Sequence, residues 1–206
     1  ASAALTGNLG VFSKYVLRGI TNTTENDNTT VQGGFDYSHA SGFYAGYWGS
    51  NLGYGSGSAN GFENDIYGGY AGQAGVASYS VGLIQYYYME VDDSDGLEFV
   101  GSLGYGPVKA GFKYLTKDVA WGNTGDIYWT VDYTASLPME FGFGASLGYY
   151  TYEESGDFIP ATANDSAFRH LNLSLTHPIG ATGANMNVTY VIGGEDRQGT
   201  EQDDAL

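Results

Sequence analysis

Residues 139–151 read MEFGFGASLGYYT. Met139, Phe141, Phe143, Ala145, Leu147 and Tyr149 alternate with Glu140, Gly142, Gly144, Ser146, Gly148 and Tyr150. A strict period of two marks a strand with one apolar face. The informative part is the other face, which is mostly Gly, Ser and Tyr rather than a Lys/Glu solvent face. A soluble sandwich would normally show water a face rich in Lys and Arg, whereas a membrane barrel turns small polar residues toward its interior. The same alternation recurs in Leu97–Tyr105, Ile127–Ala135, Leu171–Leu175 and Met186–Ile192.

Composition supports this pattern. The chain has 206 residues, 33 Gly, 19 Tyr and no Cys, and a net charge of -16 from 7 Lys plus Arg against 23 Asp plus Glu. Without Cys there is no disulfide framework and no thiolate metal site. The charge rules against binding nucleic acid, which needs basic residues on phosphates. Gly and aromatic content rule against a helical bundle and against a disordered acidic chain. The longest uncharged stretch, Ile66 to Met89, is broken by Gly, Ser and Gln and alternates, so it reads as strands rather than a spanning helix. The start, ASAALTG, has no basic or apolar leader region and suits a chain trimmed by signal cleavage.

Eleven strands are expected, at 5–18, 30–38, 42–50, 62–72, 75–90, 96–105, 107–115, 125–136, 139–151, 166–177 and 183–193. Short links alternate with long ones rich in Asn, Thr, Gly, Ser, Asp and Glu. Short turns at one rim and long polar loops at the other is the layout of an outer-membrane barrel. The fold expected is therefore all-β, one antiparallel transmembrane β-barrel domain over residues 1–206, of about twelve strands with eleven visible. The twelfth would begin at Asp204-Ala205-Leu206.

One region is specific enough to suggest a family. Residues 32–51 read QGGFDYSHASGFYAGYWGSN. Upstream, Ser13 to Gly19 gives S-x-Y-x-x-R-G, and downstream Glu63-Asn64-Asp65-Ile66-Tyr67 precedes Gly69-Tyr70. Together these resemble the proteobacterial TorF-type porin family, long described only as a conserved hypothetical protein. The resemblance is strongest over residues 5–70 and implies a signal peptide, the bacterial outer membrane and a channel activity, with no substrate attached.

Strand parity then assigns the lumen. Lys14, Arg18, Asp36, Trp48, Glu63, Asp65, Tyr67, Glu98, Lys109, Lys113, Asp126, Asp132, Glu140 and His170 are expected to line the pore. Glu90, Tyr44, Tyr86, Tyr128, Tyr150, Phe12 and Val16 share that parity. A charge facing lipid at the bilayer midplane would cost about 2–4 kcal/mol, so Lys14 and Arg18 should point inward from the first strand. They form either a basic ladder or an ion pair with Asp36, Glu63 or Asp65. Arg169 falls on the outer parity and is expected at the headgroup rim. Acidic loops over a mildly acidic wall would favour cations. Those acids also suit weak divalent-cation binding or plain solvation. Tyr86 to Tyr88, Tyr149, Tyr150, Tyr152, Trp48, Trp121 and Trp129 fall near strand ends and suit an interfacial girdle, with a sugar-stacking platform as the rival.

No enzyme is expected. His170 and Ser174 share a strand face but lie roughly 13 Å apart, too far for a triad. Asp92 to Gly96 fails the EF-hand template because Val91 stands where its first ligand belongs. His39 and His177 are expected in turns. No cofactor is called for. The partners expected are outer-membrane lipid and lipopolysaccharide and small solutes or ions. The function expected is passive diffusion through a narrow bore, the alternative being a closed barrel that acts through its loops.

Overall fold

The computed structural model describes residues 3–206. It is all-β among these residues, with eleven strands: β1 (Ala4–Phe12), β2 (Thr30–Ser38), β3 (Phe43–Asn51), β4 (Phe62–Ala74), β5 (Ala77–Met89), β6 (Gly96–Tyr105), β7 (Val108–Leu115), β8 (Ile127–Ser136), β9 (Gly142–Thr151), β10 (Ser166–Pro178) and β11 (Asn185–Gly193). They form one antiparallel sheet in chain order, each strand pairing with its sequence neighbours.

Among the described residues β1 and β11 are the unpaired edges of this sheet, and the C-terminal segment bridges β11 and the chain after β1 at the long-loop end. Val191 and Ala205 exchange backbone hydrogen bonds of 2.7 and 3.0 Å. The same C-terminal segment meets the chain that follows β1, where the Thr21 hydroxyl donates to the Asp203 carbonyl at 2.5 Å. The sheet is thus curled on itself, in the manner of a barrel.

Register explains the two faces. The pairs Val11↔Val31, Phe35↔Tyr47, Ile66↔Gln85, Leu83↔Phe99, Val131↔Leu147 and Leu175↔Val188 all lie on the outer face. That face is uncharged at every regular strand position, and its side chains stand in the open, Leu9 at 79% and Phe35 at 61%. The inner face is small and polar at the short-turn end, with pairs such as Ser80↔Ser102 and Ser174↔Thr189. Toward the long loops it becomes bulky and buried. The apolar side chains Leu52, Leu115 and Val119 are almost fully buried.

Several strand bounds differ from the sequence expectation, and five of these differences move candidate residues. The first strand stops at Phe12 rather than residue 18. Ser13 to Thr29 instead fold inward as a strap, closed on itself by backbone bonds between Tyr15 and Asn26. Glu140, expected on a strand, lies in the turn before β9 with φ 62°, and Asp126 immediately precedes β8. Glu90 lies just past β5 with φ 60°, and His177 belongs to β10 rather than to a turn.

Candidate functional site: the strapped lumen

The long-loop half of the interior is organised around Arg18. It sits at the strap's inner turn with φ 48°, followed by Gly19 at φ 76°. A side chain at residue 19 would press its Cβ to 2.6 Å from the Arg169 carbonyl and from His170 Cβ, so only glycine lets the strap lie this close to β10. From there Arg18 reaches across to β6. Its two terminal nitrogens donate to the two Glu98 oxygens at 2.9 and 2.7 Å, a bidentate pair. One of them also donates to the Tyr150 hydroxyl at 2.5 Å. The guanidinium lies 4.7 Å from the centre of the Tyr128 ring, a cation–π contact. Burial works against its charge, and Glu98 with Tyr150 and Tyr86 overrides that, holding its pKa well above the ordinary arginine value. The sequence expectation of an ion pair is met, but by Glu98 rather than Asp36, Glu63 or Asp65.

The strap carries a second cluster. Tyr15 donates to Glu63 of β4 at 3.0 Å and packs edge-on against Trp48 of β3. Tyr54 bonds Glu25, whose carboxyl burial pushes up in pKa. Asp65, Tyr67 and Trp48 face the same interior, Tyr67 donating to Asp36 at 2.5 Å. Lys113 of β7 approaches the Tyr86 hydroxyl at 3.4 Å. His170 of β10 meets the Tyr128 hydroxyl at 2.7 Å and is 2% exposed. Tyr15, Trp48, Glu63, Asp65, Tyr86 and Lys113 line a cavity of about 830 Å³ that opens among the long loops.

Four expected pore residues are placed otherwise. Lys14 lies outside β1 and faces Asp27 at 3.8 Å. Asp126 is buried in a loop latch, accepting from the backbone N–H of Asn123 and Glu153 and paired with Arg197. Burial lowers the Arg197 pKa to about 10, still charged at neutral pH. Glu140 is exposed in its turn and lines nothing. Arg18 lines the interior as expected, but from the strap. Lys109 and Asp132 stand opposite one another on the inner face nearer the short turns.

Sequence reasoning missed Tyr15, Glu25, Trp121 and Arg169 as interior groups. Arg169 is the instructive one. The β9–β10 register shifts between Phe168 and His170, a bulge that adds one residue and swings Arg169 inward. It is 6% exposed, donates to Tyr152 at 2.6 Å and covers the Tyr150 ring at 5.1 Å, so it is no headgroup contact. The signal was there: Arg169 was the sole charge on an otherwise uncharged face. The expected girdle divides in the same way. Tyr87, Trp129 and Tyr149 face outward, while Trp48, Tyr86, Tyr88, Trp121, Tyr150 and Tyr152 fill the interior.

An antiparallel sheet curled around a polar, strapped interior defines an all-β protein of barrel type. Over residues 1–202 the chain matches the model of a family described as a bacterial protein of unknown function (Gcw_chp). The chain belongs to that family. Comparison with the curated proteins and with the solved structures returned no match.

Proposed function

We propose that this chain is an outer-membrane β-barrel through which small solutes or ions diffuse passively, with a narrow and mildly cation-preferring bore. The observation that carries the reading is the outward face. Every regular outward strand position is uncharged, and large side chains such as Leu9, Phe35 and Leu103 stand exposed around the sheet. Soluble monomers rarely leave so large an apolar surface to water, whereas lipid is its natural solvent. The interior supports a path rather than a core, because its short-turn half is lined by Gly, Ser, Thr and Asn and its loop half encloses a cavity. The resemblance to TorF-type porins over residues 5–70 points the same way.

Charge supports the preference for cations. The inward strand residues carry Asp36, Glu63, Asp65, Glu98 and Asp132 against Lys109, Lys113 and Arg169. All other acids except Glu140 lie at the long-loop end, so a solute entering there meets a negative field. The partners proposed are outer-membrane lipid, lipopolysaccharide at the loop rim and the permeating solutes.

The strap favours a second reading, a closed barrel acting through its acidic loops, because Arg18 and its ring neighbours fill part of the bore. Planar-bilayer recording of the detergent-folded chain under a KCl gradient decides between them. Steady ohmic steps with a cation-shifted reversal potential are expected. Absence of steps from a well-folded, heat-modifiable barrel would establish the closed reading, and purification from the aqueous phase without detergent would overturn both.

A further inference from the structure

The loop-end cavity is lined by charged side chains of both signs. The ion pairs among the described residues are Lys14–Asp27, Arg18–Glu98 and Arg197–Asp126. Glu25, Glu63, Asp65, Asp196, Lys113 and Arg169 line the cavity and belong to none of them. Two atoms there are buried without any hydrogen-bond partner: the Asp65 acceptor Oδ1 and the Arg169 donor Nε. Arg169 is itself only 6% exposed. Asp65 rises from β4 and Arg169 from β10, on opposite walls of the curled sheet. A buried polar atom without a partner costs free energy, and a buried charge without one costs more. Each such group in a folded interior calls for an explanation, and a bound ligand is one.

The chemistry of that ligand follows from what each class would leave unmet. A simple cation answers Asp65 and leaves Arg169 open. A simple anion does the reverse. A neutral sugar stacks on the aromatic walls and offers hydroxyls, but compensates neither charge. A molecule with an ammonium group at one end and a carboxylate at the other answers both, and a cavity of about 830 Å³ admits one larger than a single small amino acid. We propose that this cavity is a binding site for a small zwitterion of dipeptide size, its ammonium held at Asp65 and its carboxylate at Arg169 and Lys113. The inference names the solute class for the lumen of the proposed channel and rests on that reading of the interior.

Intrinsic fluorescence tests it without requiring conduction, because Trp48 and Trp121 lie at the cavity and Trp129 faces outward. The full chain, folded in detergent, is titrated with glycylglycine and separately with acetate, methylammonium and sucrose. A saturable change with glycylglycine alone is expected. Asp65→Asn and Lys113→Gln should each weaken it at least tenfold while the protein stays heat-modifiable on a gel. No response to glycylglycine, an equal response to acetate, methylammonium or sucrose, or unchanged affinity in Asp65→Asn would overturn the site. If both variants fail to fold, the comparison of the four probes on the unaltered chain still decides. Saturable binding by a barrel that carries no current supports the site and overturns the diffusion reading. A steady current indifferent to glycylglycine, with no fluorescence response, overturns the site and leaves the channel standing.

Discussion

At the scale of single residues, Arg18 is where the interior is most committed. Its partner Glu98 is 1% exposed, so removing the guanidinium strands a buried carboxylate. Arg18→Ala should destabilise the fold by about 3–5 kcal/mol, the usual cost of breaking one side of a buried pair. The check is denaturant unfolding of the detergent-folded protein. Arg18→Ala combined with Glu98→Leu should recover part of the loss, because no charge is then left alone. Asp118 makes a milder prediction, about pH. Its carboxylate accepts from the backbone N–H of Thr124 and Asp157, and these bonds hold its pKa below the ordinary aspartate value. The stabilisation is therefore complete above that ordinary value, about 3.9, and is lost as pH falls through the lowered native value. Protease nicking of the loops at 116–126 and 152–165 should stay slow from neutrality to about pH 4 and speed up below it. In Asp118→Asn it should be fast throughout.

At the scale of elements, the bulge in β10 and the strap after β1 are the two features that alternation alone did not yield. A single-residue deletion within a strand normally sends every later side chain to the opposite face. Arg169 is the extra residue of the bulge, so deleting it leaves Ala167 inward, Phe168 outward and His170 inward, as they are now. The Arg169 deletion should still give a heat-modifiable barrel, whereas deletion of Leu171, which pairs regularly with Leu147, should not. The strap was hidden for a different reason. Phe12 to Arg18 continues an alternating pattern, and nothing local marks the end of β1. What ends it is tertiary: Tyr15 finds Glu63 and Trp48, and Arg18 finds Glu98, all far along the chain. Only the Arg-Gly step, with its left-handed backbone, hinted at a turn. Gly19→Ala forces a Cβ into β10 and should dislodge the strap, which in the proposed channel would be read as a larger single-channel conductance.

At the scale of the whole molecule, strand number, strand order and the identity of the two faces were legible because a half-solvated strand writes its period directly into sequence. The interior site was less so. Parity told which residues face inward, and it placed Glu63, Asp65, Glu98, Lys113 and His170 correctly on that face. It could not tell that a segment from outside the sheet would come to lie among them, nor that Asp126 and Arg197 would pair to hold loops rather than line a bore. Interior residues also differ along the barrel axis. Those near the short turns are mostly open to solvent, such as Ser78 and Ser136, while Glu63, Tyr86 and Glu98 near the long loops are buried. Amide exchange should follow this gradient. Backbone N–H groups of β5 and β6 should be protected most strongly around Tyr86 and Glu98, and least around Ser78 and Gly104.

The strap also sets an order of events. It follows β1, yet its anchors lie on β3, β4, β6 and β9, all later in the chain. Strands can pair neighbour by neighbour as the chain emerges, each hairpin closing a short loop. The strap has nothing to grip until nearly the whole wall stands. A segment made before all its anchors is therefore the last to settle, and for that interval the curled sheet stands with its interior unfilled.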